Sequence, residues 1–135
     1  MGVPTRTYRV EEANLALPEV RLLTARVVEM STQLPELEDE VRIAEYRSRR
    51  PGAAAGDETR LQETTARLQG AEEELVGVVG RLDQMDVQLK DARVGLVDFL
   101  SYRHGELIEL CWKLGEAEVA HWHRIGEGYA GRKPL

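Results

Sequence analysis

The sequence predicts a mostly α protein with a small β element, an α+β fold: a long antiparallel helical hairpin, a small antiparallel β-meander and an irregular C-terminal tail. Apolar residues recur at alternating intervals of four and three, the spacing of two helices that pack lengthwise. A Pro-Gly-Ala stretch divides this pattern, and after Arg93 strand-like alternation replaces it. The stripe positions are Leu23, Val27, Met30, Leu34, Leu37, Val41, Ala44, Leu61, Thr65, Leu68, Glu72, Leu75, Val79, Leu82, Asp86 and Leu89.

Length and composition indicate one globular domain over residues 1–135, with 42% hydrophobic and 31% charged residues. Apolar runs are too short for a membrane span, and the N-terminus lacks the apolar core of a secretion signal. The lone cysteine, Cys111, fits a reducing compartment, so we expect a cytoplasmic protein. The net charge of −6 argues against a general nucleic-acid binder. Four arginines near the hairpin tip are expected to complement the first helix dipole rather than bind phosphates: Arg42, Arg47, Arg49 and Arg50.

The first helical arm is expected over 11–50, with breaks near Pro18 and Pro35. Proline removes a backbone donor and disfavours helix in the residue before it, so we expect a short helix before Pro18 and a kink at Pro35. The preceding residues Thr5–Val10 alternate and are consistent with a short edge strand.

A linker over 51–58 and a second arm over 59–91 follow. Gly70, Gly77 and Gly80 each weaken a helix by about 1 kcal/mol relative to alanine, so three in one arm suggest close helix approach. Apolar residues also flank the stripe, which predicts more packing surface than one hairpin can bury. We therefore predict a homodimer, and the favoured function is a non-enzymatic, coiled-coil-like interaction protein that contacts a partner. The flanking residues are Leu22, Ile43, Val76, Val78 and Met85.

The β-meander is expected over 94–125 and the irregular tail over 126–135. Its strands are predicted at 96–100, 106–114 and 119–125. In the second strand, Ile108, Leu110 and Trp112 share the face expected to rest on the helices, while Glu109 and Cys111 share the other.

Four blocks in this chain resemble a family of bacterial proteins, domain of unknown function 2203. They are YRVEEANLALPEV from Tyr8, KDARVGLVDF from Lys90, LCWKLGEAEVAHWH from Leu110 and GYAGRKPL from Gly128. The resemblance covers nearly the whole chain and implies a helical hairpin with a compact C-terminal region. It implies no activity, cofactor or catalytic residue.

The densest group of reactive side chains lies in the last third of the chain: Asp98, His104, Glu109, Cys111, Glu116, Glu118, His121 and His123. His121 and His123 point the same way on a strand and are a candidate pair for a divalent metal. If residues 111 and 121 are neighbours, Cys111, Glu109, His121 and His123 form the candidate metal set. A slip of one residue instead places both histidines in the core. The sequence does not decide between these registers.

Other uses of these residues stay open. Cys111 is a conceivable nucleophile with a histidine base and Asp98 as orienter, although a cysteine beside tryptophan is more often an inert packing residue. The tail residues Tyr129, Arg132 and Lys133 are candidates for an anion contact, and packing against a partner subunit is the favoured use. Arg132 is equally able to pair with Asp98 or Glu116 and hold the tail to the sheet. No catalytic or cofactor-binding residue is assigned, and no cofactor is expected beyond a possible divalent metal. Further ligand or interface candidates are Asp98, Trp112, Glu116, Trp122, Tyr129 and Arg132.

Overall fold

Two long helices form the hairpin that the sequence predicts. The computed structural model describes residues 3–135, in which α1 is Val10–Arg49 and α2 is Ala55–Gln84. Ion pairs join the two helices, Arg81 with Glu19 at 2.6 Å and Arg67 with Glu40 at 2.7 Å. Glu11 and Glu12 in the first turn of α1, and Arg47 and Arg49 in its last, complement the helix dipole at both ends.

The chain divides into two compact units, each with part of the predicted stripe. Within the described residues, one unit is 3–28 together with Val78–Leu135, and the other is Glu29–Gly77. In the second unit Met30 and Ala44 are buried, as their stripe positions predict. The stripe departs from the prediction at Glu72, which is exposed while the neighbouring Ala71 is half-buried.

The helix end predicted before Pro18 is wrong, because α1 is one continuous helix of 40 residues through Pro18 and Pro35. Each proline removes a single hydrogen bond, whereas Leu17 and Val20 on either side of Pro18 are both buried in the core. Packing therefore outweighs the local preference of proline. A kink at Pro35 stays a prediction, since a continuous helix can bend.

The predicted edge strand at 5–10 is also wrong. Within the described residues the chain has no regular structure before α1 begins at Val10. The segment is fastened to the sheet instead by Tyr8, whose N–H donates to the carbonyl of Leu100 at 2.7 Å. The Tyr8 ring also lies edge-on to Phe99, with ring centroids 5.1 Å apart. One aromatic anchor thus takes the place of a strand.

The second arm ends earlier than predicted, because residues 87–91 form a strand. Asp86 has a φ of 57°, a left-handed conformation that ends the helical path after Gln84. Val87 and Leu89 then pair with Phe99 and Val97 across the sheet. The burial that these residues gain as strand neighbours explains why they leave the helical pattern.

Five antiparallel strands form one sheet in chain order. They are β1 Val87–Asp91, β2 Leu96–Arg103, β3 Glu106–Lys113, β4 His121–Arg124 and β5 Lys133–Pro134. The turn between β2 and β3 is only two residues, His104 and Gly105, both with positive φ. This is the conformation that two-residue hairpins favour. The three predicted strands correspond to β2, β3 and β4, and the prediction lacked β1 and β5 at the two edges of the sheet.

The tail, predicted to be irregular, contains two short elements. Its residues form a short 3₁₀ helix, Tyr129–Gly131, and the strand β5, in which Lys133 and Pro134 pair with Trp122 and His121. A hydrogen bond from the N–H of Leu135 to the carbonyl of Ala120 extends this attachment at 2.9 Å. The tail is therefore part of the sheet.

One face of the sheet packs against the helical residues of its own unit. Ile108, Leu110 and Trp112 lie on this face, as predicted. Their neighbours include residues of α1, the end of α2 and Trp122 of β4. The buried cluster consists of Tyr8, Ala13, Leu17, Val20, Leu82, Val87, Val97, Phe99, Ile108, Leu110, Trp112, Val119 and Trp122.

Candidate metal centre

The opposite face of the sheet gathers polar side chains from adjacent strands. Cys111 pairs with Asp98 of β2 on one side and with His121 of β4 on the other, and Glu109 pairs with His123. This is the register in which residues 111 and 121 are neighbours. Because side chains alternate along a strand, all five residues share one face.

Three of these side chains form a compact, buried group. Asp98, Cys111 and His123 each offer one ligand atom, and the three atoms lie within 4.8 Å of one another. Their exposed fractions are 2%, 0% and 1%. Carboxylate oxygen, thiolate sulfur and imidazole nitrogen are all ligands that Zn²⁺ takes in proteins.

The contacts of His123 bring two acceptor atoms together. Its Nδ1 lies 2.8 Å from the carbonyl oxygen of Arg124, which can only accept, so Nδ1 carries the hydrogen and donates it. In the neutral ring Nε2 then carries a lone pair, and it points at Oδ2 of Asp98 from 3.2 Å. Two acceptors at this distance need a cation or a proton between them.

Asp98 is poorly compensated for a buried carboxylate. Burial raises the pKa of Asp98 above its usual range, the positive charge of a protonated His123 would lower it, and Glu109 raises it further. Lys90 Nζ lies 3.9 Å from Asp98 Oδ2 and 3.5 Å from Glu109 Oε2. Among the described residues, Asp98 Oδ1 and His121 Nδ1 are the buried side-chain atoms without a hydrogen-bond partner. A buried oxygen without a partner costs stability, so Asp98 Oδ1 is the least satisfied acceptor of the group.

Cys111 is a protonated thiol in this environment. Burial raises the pKa of Cys111 to about 12, and the negative charge of Asp98 adds to the shift. A thiol with that pKa is not a nucleophile at neutral pH, which argues against the covalent role considered for Cys111. A coordinated metal ion removes the proton from a thiol outright, so the same residue remains suited to ligation.

A second cluster fastens the tail beside this group. Arg132 binds both carboxylate oxygens of Glu116, and its Nη1 lies 3.9 Å from the sulfur of Cys111. This pair is one of the two alternatives expected for Arg132. The guanidinium hydrogen bond lowers the pKa of Glu116. His121 lies at the edge of this cluster, with Nδ1 3.8 Å from Glu116, beyond hydrogen-bond reach.

A cleft of about 230 Å³ leads to the buried group. Asp98 and His123 line it, whereas Cys111 does not, so the approach is from the carboxylate and imidazole side. The outer wall is the loop that carries Gly126, Gly128 and Tyr129. Lys90, Leu96 and Glu109 complete the lining.

The remaining sequence candidates lie elsewhere. Trp112 and Trp122 are buried on the core face, and the indole N–H of Trp112 donates to the carbonyl of Glu116 at 3.1 Å. His104 lies in the exposed β2–β3 turn, and Glu118 is exposed. These four residues are not among the side chains that line the cleft.

Sequence reasoning ranked Asp98 below Glu109 and His121 as a metal ligand and did not name Lys90. The compact group contains Asp98 and neither Glu109 nor His121. Glu109 is instead held by the side chain of Gln88 at 3.0 Å and by Lys90. Asp98 stands between Val97 and Phe99 in a strand whose alternate residues are apolar. A lone acidic residue inside such a strand is the signal that could have raised its rank.

Comparison with known proteins gives a family match. The model of a family described as "Uncharacterized conserved protein (DUF2203)" matches residues 6–135. No curated protein and no solved structure matches the chain significantly. Among the described residues, no helix combines the length and the apolar character that crossing a membrane requires.

Proposed function

Because the chain belongs to the uncharacterised conserved family DUF2203, which brings no activity with it, we propose a function from the geometry of the centre alone. The protein binds a divalent metal ion through Asp98, Cys111 and His123. The three ligands come from β2, β3 and β4 and lie on one face of the sheet.

One observation carries this proposal, the 3.2 Å approach of His123 Nε2 to Asp98 Oδ2. With Nδ1 donating to the Arg124 carbonyl, both facing atoms are acceptors. The same contact to a backbone carbonyl is the usual way in which proteins orient a metal-binding histidine. A metal ion between the two atoms satisfies both, and Asp98 Oδ1, which has no hydrogen-bond partner, offers the carboxylate's other oxygen.

The ligand types favour Zn²⁺ among common divalent ions. A thiolate and an imidazole select borderline or soft metals, whereas Mg²⁺ and Ca²⁺ prefer oxygen alone. A reducing cytoplasm would keep the single cysteine available as a thiol. We therefore take Zn²⁺ as the expected ion and Co²⁺ as its spectroscopic substitute.

The test is metal stoichiometry in protein purified without a histidine tag. After removal of bound metal and addition of Zn²⁺, we expect one ion per chain by elemental analysis. Co²⁺ is expected to give tetrahedral visible bands and a near-ultraviolet thiolate charge-transfer band. Asp98→Asn, Cys111→Ser and His123→Ala should each lower the affinity at least 10-fold, because each removes a ligand of the set.

Two histidine controls separate this set from other histidine contacts. His104→Ala changes an exposed turn residue and is expected to leave the affinity unchanged. His121→Ala tests the larger set suggested by the sequence, and we expect at most a few-fold effect. Absence of Zn²⁺ and Co²⁺ binding in the wild-type protein would show that a shared proton, not a metal, lies between Asp98 and His123.

Association of two chains is a second candidate function, favoured by a different observation. Leu15 and Leu22 are 82% and 74% exposed on α1, and a separation of seven residues places them on one side of the helix. Large apolar side chains that share an exposed helix face are typical of an interaction surface. We propose a second copy of this chain as the partner, which molar mass in solution can test.

A further inference from the structure

We infer that the metal held by Asp98, Cys111 and His123 binds a small oxyanion as its fourth ligand, with Lys90 as the second contact of that anion. This inference rests on the metal binding proposed above. It adds a class of ligand, a small oxyanion. It also adds a residue, Lys90, which takes no part in holding the metal itself.

The number of protein ligands leaves room for such an anion. Structural zinc sites are closed by four protein ligands, whereas sites that exchange ligands have three and an open position. The fourth candidate, Glu109, is engaged by Gln88 at 3.0 Å and by Lys90 at 3.5 Å. The compact group therefore has three members.

The open side of the group faces the cleft rather than the core. Two of the three ligands, Asp98 and His123, line the cleft, so the cleft is the side from which a small molecule can approach the metal position. Gly126 and Gly128 form part of the rim, and a Cβ added at either would meet nothing within 4 Å. Glu127 between them is held away, accepting from the Arg124 N–H at 2.7 Å and from Lys133 at 3.0 Å.

Lys90 is the cationic side chain of the cleft lining, which also contains the carboxylates of Asp98 and Glu109. Its ammonium lies 3.9 Å from Asp98, and its side chain is 40% exposed, so it is both near the centre and able to move. A metal that coordinates Asp98 takes over the neutralisation of that carboxylate. Lys90 then forms an ion pair with Glu109 alone, and its ammonium can also bind the oxygen of an incoming anion.

The size of the cleft limits the anion to a few heavy atoms. Pockets for drug-sized molecules range from about 300 to 1,000 Å³. The cleft, at about 230 Å³, is below this range. Acetate and inorganic phosphate are suitable probes, since they represent a carboxylate and a phosphoryl oxyanion of that size.

The experiment titrates Co²⁺-loaded protein with sodium acetate, and separately with sodium phosphate, at constant ionic strength set by sodium chloride. We expect a saturable change in the visible cobalt bands with at least one anion. Lys90→Met should weaken that response at least 10-fold while changing Co²⁺ affinity less than threefold. Arg67→Met is the control, since Arg67 also carries a cation with a half-exposed side chain and does not line the cleft.

Each outcome has a defined meaning. A response to acetate alone assigns a carboxylate, and a response to phosphate alone assigns a phosphoryl group.

Unchanged bands in both titrations, with Co²⁺ bound at one per chain, would overturn the anion site and leave metal binding intact. A response that appears only in Glu109→Gln would show that Glu109 closes the coordination sphere, which also overturns it. A response equal in Lys90→Met and wild-type protein would remove Lys90 from the site. Failure to bind Co²⁺ at all would refute both proposals.

Discussion

At the scale of single residues, the carboxylates on the polar face of the sheet differ in how many hydrogen-bond partners they have. Both carboxylate oxygens of Glu116 have partners, since Arg132 binds both of them and the backbone N–H of Lys113 donates to the carboxylate at 2.8 Å. Asp98 is buried more deeply and has fewer partners. Natural proteins usually pair every buried polar atom, so Asp98, whose Oδ1 has no partner, is the carboxylate at which we expect a ligand.

The Glu116 pair gives a stability effect that depends on pH. Its pKa lies below the usual value for a glutamate, chiefly because of the Arg132 hydrogen bond. The carboxylate therefore stabilises the fold above the unfolded pKa, and this contribution is lost as the pH falls through the folded value. We expect Glu116→Gln to lower the free energy of unfolding by about 1–2 kcal/mol at pH 7. Urea denaturation should show that difference vanishing in acid.

The exposed Glu118 provides the control for this measurement. Glu118→Gln is expected to leave the free energy of unfolding within about 0.5 kcal/mol of wild type at every pH. A Glu116→Gln difference that stays constant down to acidic pH would contradict the assignment to charge and indicate lost packing instead.

At the scale of elements, the sequence predicted the hairpin and the central strands because their periodicities are long and unambiguous. It missed β1 because Leu82, Asp86 and Leu89 continue the helical intervals, while Val87 and Leu89 equally fit a strand. The backbone of Asp86, with φ 57°, decides between them. The two residues of β5 are too few to show any period, and pairing with β4 alone defines them.

The turn before β2 depends on one glycine, which a matched pair of substitutions can test. Gly95 has φ +70°, and an added Cβ would lie 2.7 Å from the Leu114 Cβ. Gly105 has φ +79° with open space around it. A left-handed conformation costs a non-glycine residue about 1–2 kcal/mol, and overpacking adds about 1–3 kcal/mol. Gly95→Ala should therefore cost about 3 kcal/mol and Gly105→Ala about 1 kcal/mol in urea denaturation. Equal costs would show that the contact with Leu114 relaxes freely.

At the scale of the whole molecule, the predicted site depended on a strand register that local patterns leave open. The residue types on each face of β3 followed from alternation, as Cys111 and Trp112 illustrate. Which residue of β4 lies beside Cys111 is set by long-range pairing, and a slip of one residue would have exchanged the histidines with Trp122. The homodimer stays a prediction at this scale.

The exposed leucines of α1 allow that prediction to be tested. If two chains associate through Leu15 and Leu22, the Leu15→Glu, Leu22→Glu double variant should be a monomer by size-exclusion chromatography with light scattering, because it places charges in an apolar contact. The wild-type protein should have twice the molar mass of one chain. Val94→Glu, at a position 41% exposed in the β1–β2 turn, is the control and should remain a dimer. A wild-type monomer at micromolar concentration would refute association.

The origin of the three proposed ligands on separate strands has a thermodynamic consequence. Asp98, Cys111 and His123 are each twelve or more positions apart along the chain, so only the native arrangement presents them together. An ion that prefers this arrangement acts as a cross-link between β2, β3 and β4. At a free concentration one hundred times its dissociation constant, it would add about 2.7 kcal/mol to the native state. The abundance of the folded chain would then follow the supply of the ion.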